Sequence, residues 1–341
     1  MTSTNLLELE KITIRFGSSS KAVVAVEDLS LSIEVGQPKI IAIAGESGSG
    51  KTTLGRIVLG LVTPTSGKIA YRGRELASMT QVERKLFRRE VQAILQDPFS
   101  TFNPFYPIDH LLRMPLKRFG IAHERSDMDE HIRHALEQVG LGPSQVLGRF
   151  PHQLSGGERQ RVVVARCLML KPKIIVADEP VSMIDASVRA NILDCLKGLR
   201  DELGISLIYI THDLATARQV SDELYILYRG RAVEIGSADS VIQEPAHPYT
   251  QLLVASVPQP NPDLAWTGET EPPSRTSRQG DRSGCVFFAR CTHRMPICET
   301  APPAFRHKHR DVACYLYDFS QTQQPNLMIS NEYCRSTKQH D

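Results

Sequence analysis

The chain has 341 residues, of which 41% are hydrophobic and 23% charged, so it is long enough to bury one large core and a smaller appendage. Its 40 basic and 38 acidic side chains leave a formal charge of +2, which disfavours a nucleic-acid partner. No apolar stretch approaches the roughly 20 residues that span a bilayer, and the amino-terminal sequence lacks a signal-peptide layout, so we expect a soluble, cytoplasmic chain.

The sequence changes character at about Pro258. Up to that point short apolar runs alternate with amphipathic stretches, which predicts strands interleaved with helices around a buried sheet in one large domain, residues 1–258. Residues 259–341 begin with a stretch rich in Pro, Gly, Ser and charge, which predicts a linker that leads into a cysteine-bearing extension. No internal repeat is present, so the chain holds one such large domain.

Three apolar runs end in polar residues, namely IIAIAG, KIIVADEP and SLIYITHD. Near-continuous apolar runs of this length are typical of parallel strands buried on both faces. Because ligands bind outside the carboxyl ends of such strands, we expect Gly45, Asp178 with Glu179, and Thr211 with His212 to converge on one site.

A phosphate-binding loop follows the first of these runs. The sequence GESGSGKT matches the pattern G-x-x-x-x-G-K-[ST] at every fixed position and precedes an amphipathic stretch. The glycines let backbone N–H groups approach an anion, Lys51 can reach the outer phosphates, and Thr52 can bind magnesium. The alternative is a Gly-rich turn that merely links strand to helix. The predicted ATP-binding residues here are Gly45, Glu46, Ser47, Gly48, Ser49, Gly50, Lys51, Thr52 and Thr53.

Two acids follow the strand IIVA without a gap. An acid at a strand end can hold the magnesium shell, and the next acid can polarise an attacking water, so we assign these roles to Asp178 and Glu179 respectively. The alternative is a pair of solvated acids.

The sequence LSGGERQ at Leu154–Gln160, together with the phosphate loop, resembles the signature of ABC ATPases, although Glu158 stands where the family usually has Gln. Ser155 and Glu158 also have the spacing of a capping box that opens the helix ERQRVVVARCLML, and both interpretations can hold. The resemblance implies that Ser155, Gly156, Gly157 and Glu158 contact ATP held by an opposite subunit, through exposed N–H groups at the helix start.

Further elements of the same family occur in the expected order. Gln96 resembles the glutamine that senses the γ-phosphate and magnesium, and His212 resembles the switch histidine, so the resemblance implies catalytic roles for both beside Glu179. Asp185, in SMID, resembles a residue of the loop that crosses the dimer. Phe16 resembles the aromatic residue that stacks on adenine, with a core Phe as the alternative. The implied magnesium ligands are Thr52, Gln96 and Asp178.

A polar, helix-like insertion at about residues 97–155 resembles the helical subdomain with which ABC ATPases dock on membrane partners. Phe99, Phe102, Phe105 and Tyr106 could form the groove for a coupling helix of a permease. The alternative is that these rings belong to the core of the subdomain.

The end of the chain resembles a narrower group. EPAHPYTQLLVASVP and GCVFFARCTHRMPICETAPP are similar to the HPYT element and the cysteine segment of oligopeptide, dipeptide and nickel importer ATPases. Four thiolates suit a soft metal, but spacing alone does not choose between iron–sulfur and zinc. The resemblance implies a four-iron, four-sulfur cluster, with zinc or unliganded thiols as alternatives. The four cysteines are Cys285, Cys291, Cys298 and Cys314, whereas Cys167 and Cys195 are predicted to pack in the core and Cys334 to lie in a loose tail.

The resemblance implies an α/β fold, an ABC-type P-loop ATPase domain with a helical subdomain and a small Cys-rich extension. It also implies a head-to-tail dimer with an identical or paralogous ATPase, two membrane permease subunits and, indirectly, an extracytoplasmic solute-binding protein. The chain would lie peripherally on the cytoplasmic face of the bacterial inner membrane and drive uptake of peptides, oligosaccharides or nickel chelates. The alternatives are a soluble ABC ATPase acting on ribosomes or DNA, and a regulatory module with a dead nucleotide site.

Overall fold

A computed structural model describes residues 4–17, 22–97, 101–182, 184–257 and 283–318. Its strands are β1 (Asn5–Phe16), β2 (Val23–Glu34), β3 (Ile40–Ala44), β4 (Ser66–Tyr71), β5 (Arg74–Glu75), β6 (Val91–Ile94), β7 (Ile174–Asp178), β8 (Ser206–Ile210), β9 (Glu223–Tyr228), β10 (Arg231–Ser237), β11 (Phe305–His307) and β12 (Arg310–Val312). Its α-helices are α1 (Lys51–Val58), α2 (Gln81–Glu90), α3 (Ile108–Phe119), α4 (Arg125–Gln138), α5 (Pro143–Val146), α6 (Gly156–Leu168), α7 (Ala186–Asp201), α8 (Leu214–Val220), α9 (Ala238–Gln243) and α10 (Pro248–Ala255).

The main sheet has eight strands in the order β11-β12-β10-β9-β3-β8-β7-β6. The strands from β9 to β6 in this order run parallel to their neighbours, whereas β10, β12 and β11 are antiparallel additions at one edge. The predicted parallel strands are confirmed as β3, β7 and β8, which lie side by side and are almost wholly buried. Their carboxyl ends therefore meet at one edge of the sheet, as the sequence predicts.

The two faces of this sheet carry different layers. Along β3, Ile40, Ala42 and Ala44 enter a core shared with the helical subdomain, α6 and α7. Ile41 and Ile43 point to the other face, which is covered by α1 and a four-stranded antiparallel sheet in the order β2-β1-β4-β5. Successive strand residues face opposite sides of a sheet. Because every position of β3 is apolar, the strand contributes side chains to the cores on both faces.

A helical subdomain formed by α3, α4 and α5 is inserted between β6 and α6. Leu112 and Leu116 of α3 and Ile132 of α4 are fully buried at helical spacing, so these helices present one apolar stripe to a common core. The predicted core cysteines pack nearby, with Cys167 buried in α6 and Cys195 partly buried in α7. Within the described ranges, no helix combines the length and the apolar character that crossing a bilayer requires.

The carboxyl-terminal segment 283–318 packs on the large domain. Its hairpin β11–β12 extends the main sheet, because β12 pairs with β10 and places Val312 opposite Glu234. Arg310 of the hairpin is 2% exposed and lies 3.4 Å from the carboxylate of Glu234, which is itself fully buried. The segment thus shares a sheet and a buried ion pair with the preceding chain. Most of the predicted linker, which begins residues 259–341, and the tail residue Cys334 lie outside the described residues.

Candidate functional site

The phosphate loop is held against the sheet at distances that only glycine allows. Gly50 has φ of +105°, and a Cβ atom there would lie 2.2 Å from the carbonyl oxygen of Ala25 in β2. Gly45 has φ of +150°, and its Cβ would lie 2.1 Å from the carbonyl oxygen of Leu227 in β9. Left-handed backbone and close backbone approach both favour glycine, so the fixed glycines of the motif define the path of the loop into α1.

Lys51 lies inside this loop. Its ammonium donates hydrogen bonds to the carbonyl oxygens of Gly45 at 2.8 Å and Glu46 at 2.9 Å. Burial lowers the pKa of Lys51, and the nearby carboxylates of Glu179, Asp178 and Glu46 oppose that shift. A phosphate would give this ammonium a stronger, charged acceptor in place of the two carbonyls.

Ser49 and α1 also suit an anion. The Ser49 hydroxyl is buried and has no hydrogen-bond partner among the described residues, so a phosphate oxygen would satisfy it. The α1 helix begins at Lys51 with Gly50 as its N-cap, which points the positive end of the helix dipole at the loop. The loop therefore fits a nucleotide phosphate by geometry as well as by sequence.

Glu179 is the centre of the candidate catalytic group. Its Oε2 accepts a hydrogen bond from Gln96 Nε2 at 2.8 Å, and its Oε1 lies 2.9 Å from His212 Nδ1. The residue has φ of +48°, which is unusual for a side chain other than glycine, and its N–H donates to the Ile210 carbonyl at 2.8 Å. Gln96 and His212 thus each contact Glu179, although the catalytic roles of the three residues stay predictions.

Asp178 and Thr52 form the candidate magnesium site. Thr52 Oγ1 lies 3.5 Å from Asp178 Oδ1, and burial raises the pKa of the Asp178 carboxyl. Gln96 donates to Glu179 through Nε2, so its Oε1 is the atom that can bind a cation. Hydroxyl, carboxylate and amide oxygens are hard ligands of the type that magnesium prefers, so the three residues fit the ion by chemistry.

The predicted capping box at α6 is present. The N–H of Glu158 donates to Ser155 Oγ at 3.2 Å, and the N–H of Ser155 donates to Glu158 Oε2 at 2.8 Å. This backbone hydrogen bond is the main cause of the lowered pKa of Glu158. The sequence predicts exposed N–H groups at Ser155, Gly156 and Gly157. In the structure, however, the N–H of Ser155 is already hydrogen-bonded to Glu158. Gly157 is buried, and its Cβ would lie 2.6 Å from Val188 of α7.

Two other predicted nucleotide contacts lie at the surface. Asp185 is exposed at the start of α7, and its carbonyl oxygen accepts the N–H groups of Val188 and Arg189. Phe16 ends β1 and is 48% exposed, so its ring is available for stacking instead of being held in the core. The structure therefore disfavours the alternative of a core Phe, and adenine stacking stays a prediction.

The aromatic residues of the predicted docking groove divide into two kinds. Phe102 is buried in the core that includes the helical subdomain, as the alternative supposes. Phe105 is 85% exposed, and Tyr106 is half-exposed and stacks on His110 with ring centroids 4.3 Å apart. Phe99 lies outside the described residues. Phe105 and Tyr106 are therefore the described members that a partner can reach.

The phosphate loop has a second set of contacts that the sequence does not predict. The N–H of Glu46 donates to the hydroxyl of Tyr249 at 2.9 Å, and Arg290 Nη1 lies 2.9 Å and 3.0 Å from the two carboxylate oxygens of Glu46. These partners are 203 and 244 residues away in sequence. HPYT marks Tyr249 as part of a family element, but we find no sequence signal that would have predicted either contact.

The four predicted metal-binding cysteines line one cavity, together with aromatic rings of the carboxyl-terminal segment. Burial raises the pKa of Cys285 and Cys291, and that of Cys314 to about 12. The N–H of Cys285 donates to the carbonyl oxygen of Cys298 at 2.8 Å. However, no group of three or more His, Cys, Asp or Glu residues in the described part of the chain is arranged to hold a metal ion. The structure thus places the four cysteines around one cavity but shows no metal-binding geometry among the described residues, so the iron–sulfur or zinc site stays a prediction.

Comparison with known proteins decides the family. Residues 26–182 match the family model for the ABC transporter, and residues 233–298 match that for the oligopeptide/dipeptide transporter C-terminal region. The chain is 38% identical over 312 residues to the oligopeptide transport ATP-binding protein OppF of Salmonella typhimurium, covering 89% of this chain and 91% of that protein. The chain belongs to the ABC transporter ATP-binding proteins. OppF of Escherichia coli gives the same identity and coverage.

Solved structures agree with the fold of this ABC ATPase. The ATP-binding cassette MJ0796, solved as a dimer in a post-hydrolysis state with ADP and phosphate, is 26% identical with a TM-score of 0.61. The match covers 68% of this chain and 98% of that one. Family and fold together make the chain an ATP-hydrolysing enzyme, and the candidate site lies at the carboxyl ends of β3, β7 and β8.

Proposed function

We propose that this ABC ATPase is the energy-converting subunit of an importer for oligopeptides. The observation that carries the ATPase step is the contact of Glu179 with Gln96 and His212 beside the phosphate loop. The peptide assignment is supported by the match of residues 233–298 and by relatives that are named for oligopeptide transport. Oligosaccharides and nickel chelates are the other solutes compatible with the sequence.

Hydrolysis would begin with ATP on the phosphate loop, where Lys51 turns from the loop carbonyls to the outer phosphates. Magnesium held by Thr52, Gln96 and Asp178 would neutralise phosphate charge. Glu179 would accept a proton from the attacking water, and His212 would fix the orientation of its carboxylate from the other side. Positioning and charge neutralisation are the main demands of phosphoryl transfer, and these side chains supply both.

A second ATPase subunit would complete each nucleotide site. Gly156, Glu158 and Asp185 lie at the starts of α6 and α7, where Asp185 is exposed. In a head-to-tail dimer they would approach ATP held by the partner, together with Ser155 and Gly157. The dimeric solved structures of MJ0796 support the formation of a dimer, and the partner here would be an identical or a paralogous subunit. ATP would close the pair because it contacts both subunits, and hydrolysis would remove those contacts.

Two membrane permease subunits would receive this motion at the cytoplasmic face of the bacterial inner membrane. The exposed rings of Phe105 and Tyr106, next to the helical subdomain, support a docking surface for a coupling helix. An extracytoplasmic binding protein would deliver the solute without touching this chain.

We further propose that Cys285, Cys291, Cys298 and Cys314 hold a four-iron, four-sulfur cluster, with zinc as the alternative. Support comes from the soft donor set around one cavity. Iron, zinc and acid-labile sulfide would be measured on the chain purified without oxygen. Iron and sulfide in equal amounts would support the cluster, zinc alone would support the alternative, and neither would leave the cysteines as free thiols.

The importer proposal is tested by ATP hydrolysis of the complex in lipid, purified with the proteins encoded beside it. We expect a peptide-loaded binding protein to stimulate hydrolysis, and the same binding protein without peptide to stimulate it less. Hydrolysis that no loaded binding protein alters, or co-purification with ribosomes instead of permeases, would refute the importer.

A further inference from the structure

The carboxyl-terminal segment touches the phosphate loop directly through one ion pair. Arg290 Nη1 lies 2.9 Å and 3.0 Å from the two carboxylate oxygens of Glu46, the second residue of the loop. The Arg290 side chain is 27% exposed and that of Glu46 is 43% exposed, so the pair is partly screened by water. Within the loop, Glu46 also accepts the Lys51 ammonium on its carbonyl oxygen. One residue therefore connects the segment to the lysine that binds phosphate.

Aromatic rings fix the position of this guanidinium. Arg290 lies over the rings of Tyr228 and Phe287, with its Cζ 5.7 Å and 5.6 Å from their centroids. Tyr228, Phe287 and Tyr249 pack on one another with centroid distances between 4.5 Å and 5.5 Å. The Tyr249 hydroxyl in turn accepts the N–H of Glu46. The backbone and the carboxylate of Glu46 are thus both held by residues that lie outside the phosphate loop.

A hydrogen-bonded turn connects Arg290 to the cysteine cavity. Arg290 is the residue before Cys291, and its N–H donates to the carbonyl oxygen of Phe287 at 3.0 Å. The N–H of Cys291 donates to Phe288, and that of Phe288 donates to Cys285, so the turn that carries Arg290 is closed at both ends by cysteines of the cavity. The backbone path from the cysteine cavity to Arg290 is therefore short and hydrogen-bonded, so a rearrangement of this turn would also move Arg290.

The charge of Glu46 affects how the phosphate loop binds a nucleotide. The phosphate loop receives a nucleotide with several negative charges, and an unneutralised carboxylate at Glu46 would repel it. Arg290 neutralises that carboxylate. We propose that the carboxyl-terminal segment sets the affinity of the phosphate loop for ATP through Arg290, so that a change at the cysteine cavity is felt at the ATP site. This inference uses the ATPase alone and does not depend on which solute is imported.

The first test measures the equilibrium Kd for MgATP of the full chain. We expect Arg290→Ala to weaken binding about threefold to tenfold, the range for a partly exposed ion pair beside a charged ligand. In the Glu46→Gln background, where no carboxylate needs neutralising, Arg290→Ala should change Kd no further. An equal effect of Arg290→Ala in both backgrounds, or no effect in the native one, would overturn the proposal.

Two controls separate the ion pair from folding. Arg306→Ala removes an exposed pair with Asp311 in the hairpin of the same segment and should leave Kd unchanged. In the assembled transporter, Arg290→Ala should raise KM for ATP and leave kcat nearly unchanged, whereas a distorted segment would lower kcat as well.

The second test concerns the cysteines. Cys291→Ser should raise Kd in the native chain and have no further effect when Arg290 is already Ala. A Cys291→Ser chain with native Kd would overturn the connection to the cavity, as would an effect of the same size in both backgrounds. If Cys291→Ser does not fold, Cys285→Ser in the native and Arg290→Ala chains gives a matched comparison at the other end of the turn, with the same two overturning results.

Discussion

We expect protonation of His247 at low pH to destabilise the HPYT element. It is the N-cap of α10, where its Nδ1 accepts the N–H of Tyr249 at 3.0 Å, and the side chain is 1% exposed. Burial lowers the pKa of His247 to about 3 from an ordinary value of 6.5. If Nδ1 were protonated, its hydrogen would face the N–H of Tyr249 and the hydrogen bond would be lost. The folded chain therefore strongly favours the neutral ring.

The sign and size of the effect follow from linkage. Because the pKa of His247 is lower in the folded state, the neutral ring makes its full contribution to the free energy of unfolding above the unfolded pKa of 6.5. This contribution is lost as pH falls towards about 3. When pH falls from 7 to 5, His247 binds a proton in the unfolded chain but not in the folded chain. This favours the unfolded chain and lowers the free energy of unfolding by about 2 kcal/mol. The raised pKa of Glu234, also caused by burial, acts in the opposite direction and is common to the native chain and the variant.

The assay compares native and His247→Asn chains by urea unfolding at pH 7 and pH 5. Asn can still accept the N-cap hydrogen bond but does not titrate, so the loss of stability between the two pH values should be about 2 kcal/mol smaller in the variant. His134→Asn, a change at an exposed histidine of α4, should retain the native pH dependence. If His247→Asn loses as much stability on acidification as the native chain, the argument from burial is wrong.

Three further outcomes are expected. Glu179→Gln should retain ATP binding, measured by nucleotide binding, and lower kcat by about 10² to 10⁴, measured by phosphate release. The surface change Glu202→Gln should leave both quantities unchanged. Gly50→Ala forces a Cβ to 2.2 Å from a carbonyl oxygen of β2, so nucleotide binding measured by calorimetry should be lost; near-native affinity would contradict the backbone argument. Arg310→Met leaves the buried carboxylate of Glu234 without its ion-pair partner and should cost about 3–5 kcal/mol in denaturant unfolding; a loss below 1 kcal/mol would show that the pair is replaceable.

Features that depend on residues close together in the chain can be predicted from the sequence. The phosphate loop, the capping box of Ser155 and Glu158, and the buried parallel strands all follow from local hydrogen bonds, glycine backbone freedom and the alternation of side chains along a strand. Because parallel strands meet at their carboxyl ends, the sequence also predicts that Asp178 lies near the phosphate loop, and Thr52 of that loop is 3.5 Å from Asp178.

Contacts between side chains that are far apart in the chain depend on the tertiary structure. The contact of Gln96 with Glu179 spans 83 residues, and its geometry depends on the pairing of β6 with β7 and on the φ of Glu179. The contact of Arg290 with Glu46 depends on a turn that packs against aromatic rings from β9 and α10. Sequence patterns record which face of an element is buried, but not which distant polar group a side chain reaches, because that is fixed by how the layers pack.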